Sequence, residues 1–347
     1  MKGDEQLVEV LRAYLNAIVK GRTDLQRFLE CVGPGGTGKS TFTQLAVALV
    51  GRENVFSTSL KQLETNRFET AGIYGKRFIL IADSEEYTGD VSTLKAIVGQ
   101  DPIRHEKKFV QQSTPFVAKA MVLITANQNM QSKDYTSGFQ RRRLTIPFAH
   151  QVAPANRRDL ITLNNDNTIV GEFAPYISGL LNWVLGISDE HVTELIRNTE
   201  RSVPTLLAVK GNTLCETNPM ADWLDHWVVC DKEAKTYIGD QEMEVSKYLY
   251  PNYIRYCKAT RTSSVSLKKF SGLLVDLCKN QLGLDSVEKA RDRVGSHILG
   301  LRLRTENDKN LPSPVTGHIF PDESVTASDG KVMAETPAII NVMDVMD

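Results

Sequence analysis

Long apolar runs, paired cysteines, a surplus of either charge and internal repeats are all missing from this 347-residue chain. No apolar stretch approaches the roughly 20 residues that cross a bilayer. Met1-Lys-Gly-Asp-Glu5 opens without the apolar core of a secretory signal. A membrane partner is therefore not expected, and a cytoplasmic setting is. The five cysteines are scattered with no C-x-x-C pair, which argues against a disulfide framework or a zinc site and for reduced thiols. Lysine and arginine number 41 against 42 acids, a net charge of -1. Contact with nucleic acid would have to come from local basic patches, not from a global field. A hydrophobic content of 41% and a charged content of 24% are ordinary for a globular protein, and the length suits two or three domains.

What is present centres on Gly33-Pro34-Gly35-Gly36-Thr37-Gly38-Lys39-Ser40-Thr41, a match without mismatch to the phosphate-loop pattern G-x-x-x-x-G-K-[ST]. Arg27–Val32 before it is short and apolar, as a buried strand should be. Phe42, Leu45, Ala46 and Leu49 after it recur at helical spacing. Glycines between a strand and a helix let several backbone N–H groups converge on one concavity, and the helix N-terminus adds partial positive charge. Lys39 is placed to reach the β- and γ-phosphates and Ser40 to ligate Mg²⁺, so ATP and Mg²⁺ are the expected ligands.

Phe78-Ile-Leu-Ile-Ala82-Asp83, bounded by Gly75, reads as a central parallel strand buried on both faces. An acid at its carboxyl tip, Asp83, belongs beside the metal, and Glu85 or Glu86 is placed to activate the attacking water. Ile103–Phe109 and Gln111–Phe116 read as a hairpin with Lys107, Lys108 and Phe109 near its tip, cations and an aromatic of the kind that hold single strands. Lys119–Asn127 is a second buried strand that ends on an amide able to hold the lytic water. Arg141-Arg142-Arg143 precedes the short strand Leu144–Phe148. A guanidinium there suits phosphate and, in an oligomer, can serve a neighbour's site.

In this order, Gly33–Thr41, Gly75–Glu86, Leu94-Lys95-x-x-x-Gly99-x-Asp101-x-Ile103, the strand ending at Asn127 and Gly138-Phe-x-Arg-Arg-Arg143-Leu-x-Ile-Pro-Phe148, the chain resembles the superfamily 3 helicase domain of phage and plasmid primase–helicases, in the branch related to poxvirus-type NTPases. The resemblance covers roughly residues 5–200. It implies an AAA+-like P-loop NTPase with a central parallel sheet flanked by helices, acting on single-stranded and forked DNA as a ring, a hexamer of 3′ to 5′ polarity, in bacterial or virus-infected cytosol. By the same resemblance Lys39 and Ser40 or Thr41 hold triphosphate and metal. Asp83 is the metal-side acid, Glu85 the base with Glu86 as rival, and Asn127 the phosphate sensor. Lys107 and Lys108 lie on the translocating hairpin. Arg142 is the finger in trans, with Arg141 and Arg143 as rivals.

Beyond the motor, Trp223–Val228, the aromatic stretch Tyr248–Cys257, the helix Ser266–Leu277 with Lys268 and Lys269 at its start, and Lys289-x-Arg291-x-Arg293 leading into Ile298–Arg304 suggest a small winged-helix-like domain. Such a domain follows the motor in the same family, and Lys268 and Lys269 would face DNA phosphates. The expected layout is an N-terminal helix (1–24), the NTPase core (25–150), a helical lid or linker (151–204), the winged-helix-like domain (205–304) and an acidic, disordered tail (305–347). The acidic triad or zinc-ligand cluster of a primase is not found here. Primase, with or without a polymerase, is expected from a separate partner or a longer form of this chain. Two rival functions are a nucleotide-gated DNA-binding or origin-licensing ATPase without unwinding, and a small-molecule kinase. The second DNA-like domain and the arginine cluster count against the kinase.

Overall fold

The computed structural model describes residues 4–82, 87–106 and 114–319. It divides into a first unit, which runs up to Asp134 and resumes over Gly138–Lys210, and a second unit built from Tyr135–Ser137 and the described residues from Gly211 onward.

The first unit begins with α1 (Glu5–Lys20), where the Asp4 side chain accepts from Leu7 N and Gly21 closes the helix in the left-handed conformation. Strand β1 (Phe28–Val32) leads through the glycine loop into α2 (Lys39–Val50). Then come β2 (Val55–Thr58), α3 (Leu60–Thr65), β3 (Phe78–Ile81), α4 (Ser92–Gly99), β4 (Pro102–Ile103), β5 (Phe116–Val117), β6 (Met121–Ala126), α5 (Ser137–Gln140) and β7 (Arg143–Pro147). A small antiparallel ribbon, β8 (Thr162–Leu163) with β9 (Ile169–Val170), is followed by α6 (Ile177–Leu185), α7 (Asp189–Arg197) and α8 (Thr199–Ser202). The helix α9 (Pro204–Thr217) carries the chain onward.

Five strands form one parallel sheet in the order β2-β3-β6-β1-β7. Successive side chains of a strand point to opposite faces, and here both faces are dry. Phe78, Leu80, Met121 and Leu123 enter the core shared with α1, α2 and α7, while Ile79, Ile81, Val122 and Ile124 enter the core shared with α3 and α4. This is why β3 and β6 are unbroken apolar runs and not alternating ones. The α1 helix is part of this unit: buried Tyr14 accepts from Leu29 N at 3.0 Å and donates to the Val122 carbonyl at 2.5 Å, which ties β1 to β6. The antiparallel pair β4–β5 (Pro102 opposite Val117, Ile103 opposite Phe116) forms the base of the expected hairpin.

The second unit contains α10 (Pro219–Trp227), β10 (Val228–Tyr237), α11 (Leu249–Thr260), α12 (Leu267–Asp276), β11 (Glu288–Arg291) and β12 (Ser296–Leu303). Its strands pair antiparallel in the order β10-β12-β11. The core is aromatic. Trp223 lies edge-on to Tyr253 and Phe270, and its indole donates to Asn252 at 2.8 Å. Among the described residues no helix is long and apolar enough to cross a membrane.

Candidate nucleotide site

In a parallel sheet, ligands gather beyond the carboxyl ends of the strands. The glycine loop leaves β1 at that end, and β6 delivers Asn127 to the same end. Positive φ occurs at Gly33, Gly36 and Gly38, at 156°, 77° and 95°. Any side chain on Gly33 would collide with the Phe148 carbonyl, and Phe148 N donates to the Val32 carbonyl at 2.6 Å. The loop is thus seated directly on the end of β7, where only glycine fits.

Lys39, the first residue of α2, is buried. Its ammonium donates to the Gly33 carbonyl, to the Pro34 carbonyl at 3.0 Å and to Asn127 Oδ1 at 3.2 Å. Two of the residues singled out from sequence therefore meet. The lysine is parked on carbonyl oxygens that a phosphate oxygen can replace, and Asn127 sits within reach of the same point. Thr37 Oγ1 donates to the Pro34 carbonyl at 2.9 Å and closes the loop on itself. Ser40 is exposed on the first turn of α2, and Thr41 is half-buried. Asp83, Glu85 and Glu86, and the hairpin-tip residues Lys107, Lys108 and Phe109, lie outside the described residues.

The three arginines do not share one environment. Arg143 is buried against Glu30 at 2.6 Å, and Glu30 also accepts from Met130 N at 2.8 Å and Thr145 Oγ1 at 3.0 Å. Arg142 is half-buried, donates to the Gly138 carbonyl at 2.5 Å and lies against Gly99. Burial and the neighbouring Arg141 lower its pKa, and Asp101 and Asp134 oppose them. Arg141 is exposed. Arg143 is thereby committed to the interior, and Arg141 and Arg142 are the two guanidiniums nearer the surface.

One cation escaped the sequence reading. The Arg157 guanidinium lies so close to Gly36 that a Cβ there would sit 2.6 Å from Nη2. The segment that carries it is clasped to the loop, since Val152 N donates to the Gly36 carbonyl and Gln151 Nε2 to the Gly35 carbonyl, each at 3.0 Å. Arg157 stands in a polar connection with no motif around it, and only the fold brings it to the glycines. In the second unit, Lys268 and Lys269 are exposed on the first turn of α12. Cations there oppose the helix dipole, so helix stability does not account for them. Lys289 of the basic hairpin is tied to α12 through Ser271 at 2.8 Å, while Arg291 and Arg293 are exposed.

A family model described as a family of unknown function (DUF5906) matches residues 31–143, from the end of β1 to the third arginine. The uncharacterized mitochondrial protein ymf20 of Marchantia polymorpha is 27% identical over 152 residues, which span 44% of this chain and 85% of that protein. The uncharacterized mitochondrial protein ymf21 of the same organism is 39% identical over 61 residues, 18% of this chain and 34% of the other. Among solved structures, the apo C-terminal region of NrS-1 (305-718) aligns with a TM-score of 0.43 and 12% identity, over 86% of this chain and 72% of that one. The A form of that region aligns with a TM-score of 0.40 and 16% identity, over 63% of this chain and 56% of the other.

Proposed function

We propose that this chain is an ATP-driven DNA helicase or translocase for the replication of a phage, plasmid or other mobile element, and that it works as a ring, a hexamer moving 3′ to 5′ on the strand it threads. The observation that supports this most is the meeting of Lys39, the glycine loop and Asn127 at one end of a parallel sheet. The residues fit a triphosphate: the loop has three left-handed glycines, the lysine is held on replaceable oxygens, and Arg157 adds a cation in cis. Ser40 and Asp83 would hold Mg²⁺, which when bound neutralises phosphate charge. Lys39 leaves the Gly33 and Pro34 carbonyls for the β- and γ-phosphates. Asn127, released from Lys39, orients a water, and Glu85, with Glu86 as rival, takes its proton. Arg142, or Arg141, reaches a neighbouring protomer's site. Lys107, Lys108 and Phe109 grip the strand, and Lys268 and Lys269 hold DNA phosphates. A primase or polymerase would act as a separate partner.

Strand displacement by the purified chain with ATP and Mg²⁺ tests the reading. Lys39→Ala is expected to abolish ATP hydrolysis. Lys107→Ala/Lys108→Ala is expected to keep hydrolysis and lose unwinding. Normal unwinding by the double variant would overturn the hairpin assignment. ATP hydrolysis with tight duplex binding and no displacement by the wild type would favour the origin-licensing function instead.

A further inference from the structure

Tyrosine is intermediate in burial in folded proteins, and an exposed ring is not in itself unusual. Tyr74 is 60% exposed, yet it is held in a built arrangement. Its ring stacks on His105 with centroids 4.9 Å apart and planes 8° from parallel. Phe116 stands edge-on to both rings, at 5.3 Å from Tyr74 and 5.7 Å from His105. Two separate stretches are fixed by this contact: Tyr74 closes the turn before β3, and His105 and Phe116 are at the base of the β4–β5 hairpin. The Thr70 hydroxyl pins them further by donating to the Arg104 carbonyl at 2.7 Å.

The charge beside the rings is positive. Arg104 and Arg67 have side chains 81% and 73% exposed and meet the same carboxylate, Glu106, at 3.7 and 3.6 Å. Two guanidiniums share one acid, which leaves a net cation. A rigid aromatic face next to surplus arginine charge fits a strand of unpaired bases, because bases supply π-faces and the backbone supplies phosphates. A folded protein partner would be expected to cover the apolar ring and to pair the arginines with acids of its own.

We propose that Tyr74, stacked on His105 and braced by Phe116, is a base-stacking platform for single-stranded DNA, with Arg67 and Arg104 on the adjoining phosphates. The choice of DNA as the occupant rests on the proposed function. The platform itself uses residues outside the nucleotide site.

The experiment compares binding of a labelled oligothymidylate with binding of an abasic sugar-phosphate strand of equal length, for the full chain and its variants. Tyr74→Ala is expected to weaken oligothymidylate binding about tenfold or more and to leave the abasic strand unchanged. Tyr74→Phe keeps the ring and is expected to bind as the wild type does. Arg104→Ala is expected to weaken both strands and to flatten the salt dependence. Nucleotide hydrolysis without DNA should be the same in all of them. If Tyr74→Ala proves poorly folded, Tyr74→Leu, which keeps apolar bulk without a π-face, replaces it with the same expectation. Wild-type affinity in the Tyr74 variant, an equal loss on both strands, or no binding of either strand by the wild type overturns the platform. Failure of the wild type to hydrolyse ATP would overturn the motor alone, and the binding comparison would still decide the platform.

Discussion

Arg143 and Glu30 form a salt bridge whose side chains are 2% and 0% exposed. Burying a charge pair brings little net stability, but removing one member strands the other in a dry interior, at a cost of about 3–5 kcal/mol. Glu30→Gln should therefore lower the unfolding free energy of the first unit, read from urea titration, by an amount in that range, while Glu30→Met combined with Arg143→Met should recover most of it. A single variant as stable as the wild type would show that Asn129, whose Oδ1 accepts from Arg143 Nη2 at 3.4 Å, is enough to hold the guanidinium. The same pair explains what three adjacent arginines conceal. Written as Arg141-Arg142-Arg143, they carry no phase. Arg143 opens β7 and so takes the inward side of a sheet strand, where it meets, two residues along the neighbouring strand, an acid that stands in the middle of the otherwise apolar Phe28–Val32. That acid was the available signal, because a lone carboxylate in a buried strand needs a cation.

At the scale of elements, legibility followed burial. The strands β3 and β6 were plain in sequence because a sheet covered on both faces demands continuous apolar runs. The loop and α2 were plain because their glycines and their spacing are dictated by backbone geometry. Strand β10 gave no such signal. Val228–Tyr237 reads VVCDKEAKTY, lies at the edge of its sheet and keeps its middle exposed, so neither alternation nor a long apolar run marks it. The far end of its partner β12 carries a pH-sensitive clamp. Arg302 donates to both oxygens of Asp308, at 2.6 and 2.8 Å, and Asp308 also accepts from Thr305 N at 2.8 Å. Arg302 holds the Asp308 carboxyl well below the usual carboxylate range, against the opposing pull of burial. A carboxyl lowered in the folded state stabilises it above the unfolded value and loses that contribution as pH falls. Its effect should be full at neutral pH and fade below about pH 4. Asp308→Asn is expected to lower the thermal midpoint of the second unit at pH 7 and to flatten the fall below pH 4. Curves that stay parallel down the acid limb would show that Asp308 is not the group responsible.

For the molecule as a whole, the second unit is not one continuous stretch. Lys133–Gly138 reads as a polar loop between two strands of the sheet, yet Tyr135–Ser137 belongs to the later unit. Ser137 donates to Asp276 through its backbone N at 2.8 Å and its hydroxyl at 2.7 Å, and the Tyr135 carbonyl accepts from Gln281 Nε2 at 3.2 Å. Nothing in the local sequence signals this, because the partners are distant in the chain and the contacts are polar. Its consequence can be measured. A fragment that begins at Gly211 contains the aromatic core of Trp223, Tyr253 and Phe270 and should fold, but Asp276 and Gln281 lose these partners. Hydrogen bonds to a charged group contribute about 1.5–3 kcal/mol each, and water recovers much of that where Asp276 becomes solvated. A fragment less stable than the same unit in the full chain by about 1–3 kcal/mol is expected. Ser137→Ala in the full chain should give part of the same loss, since it removes the hydroxyl and leaves the backbone N–H. Hydrogen exchange of the α12 amides reads both. Equal protection in the fragment and the full chain would mean that the insertion is decoration and that the unit folds from its contiguous residues alone.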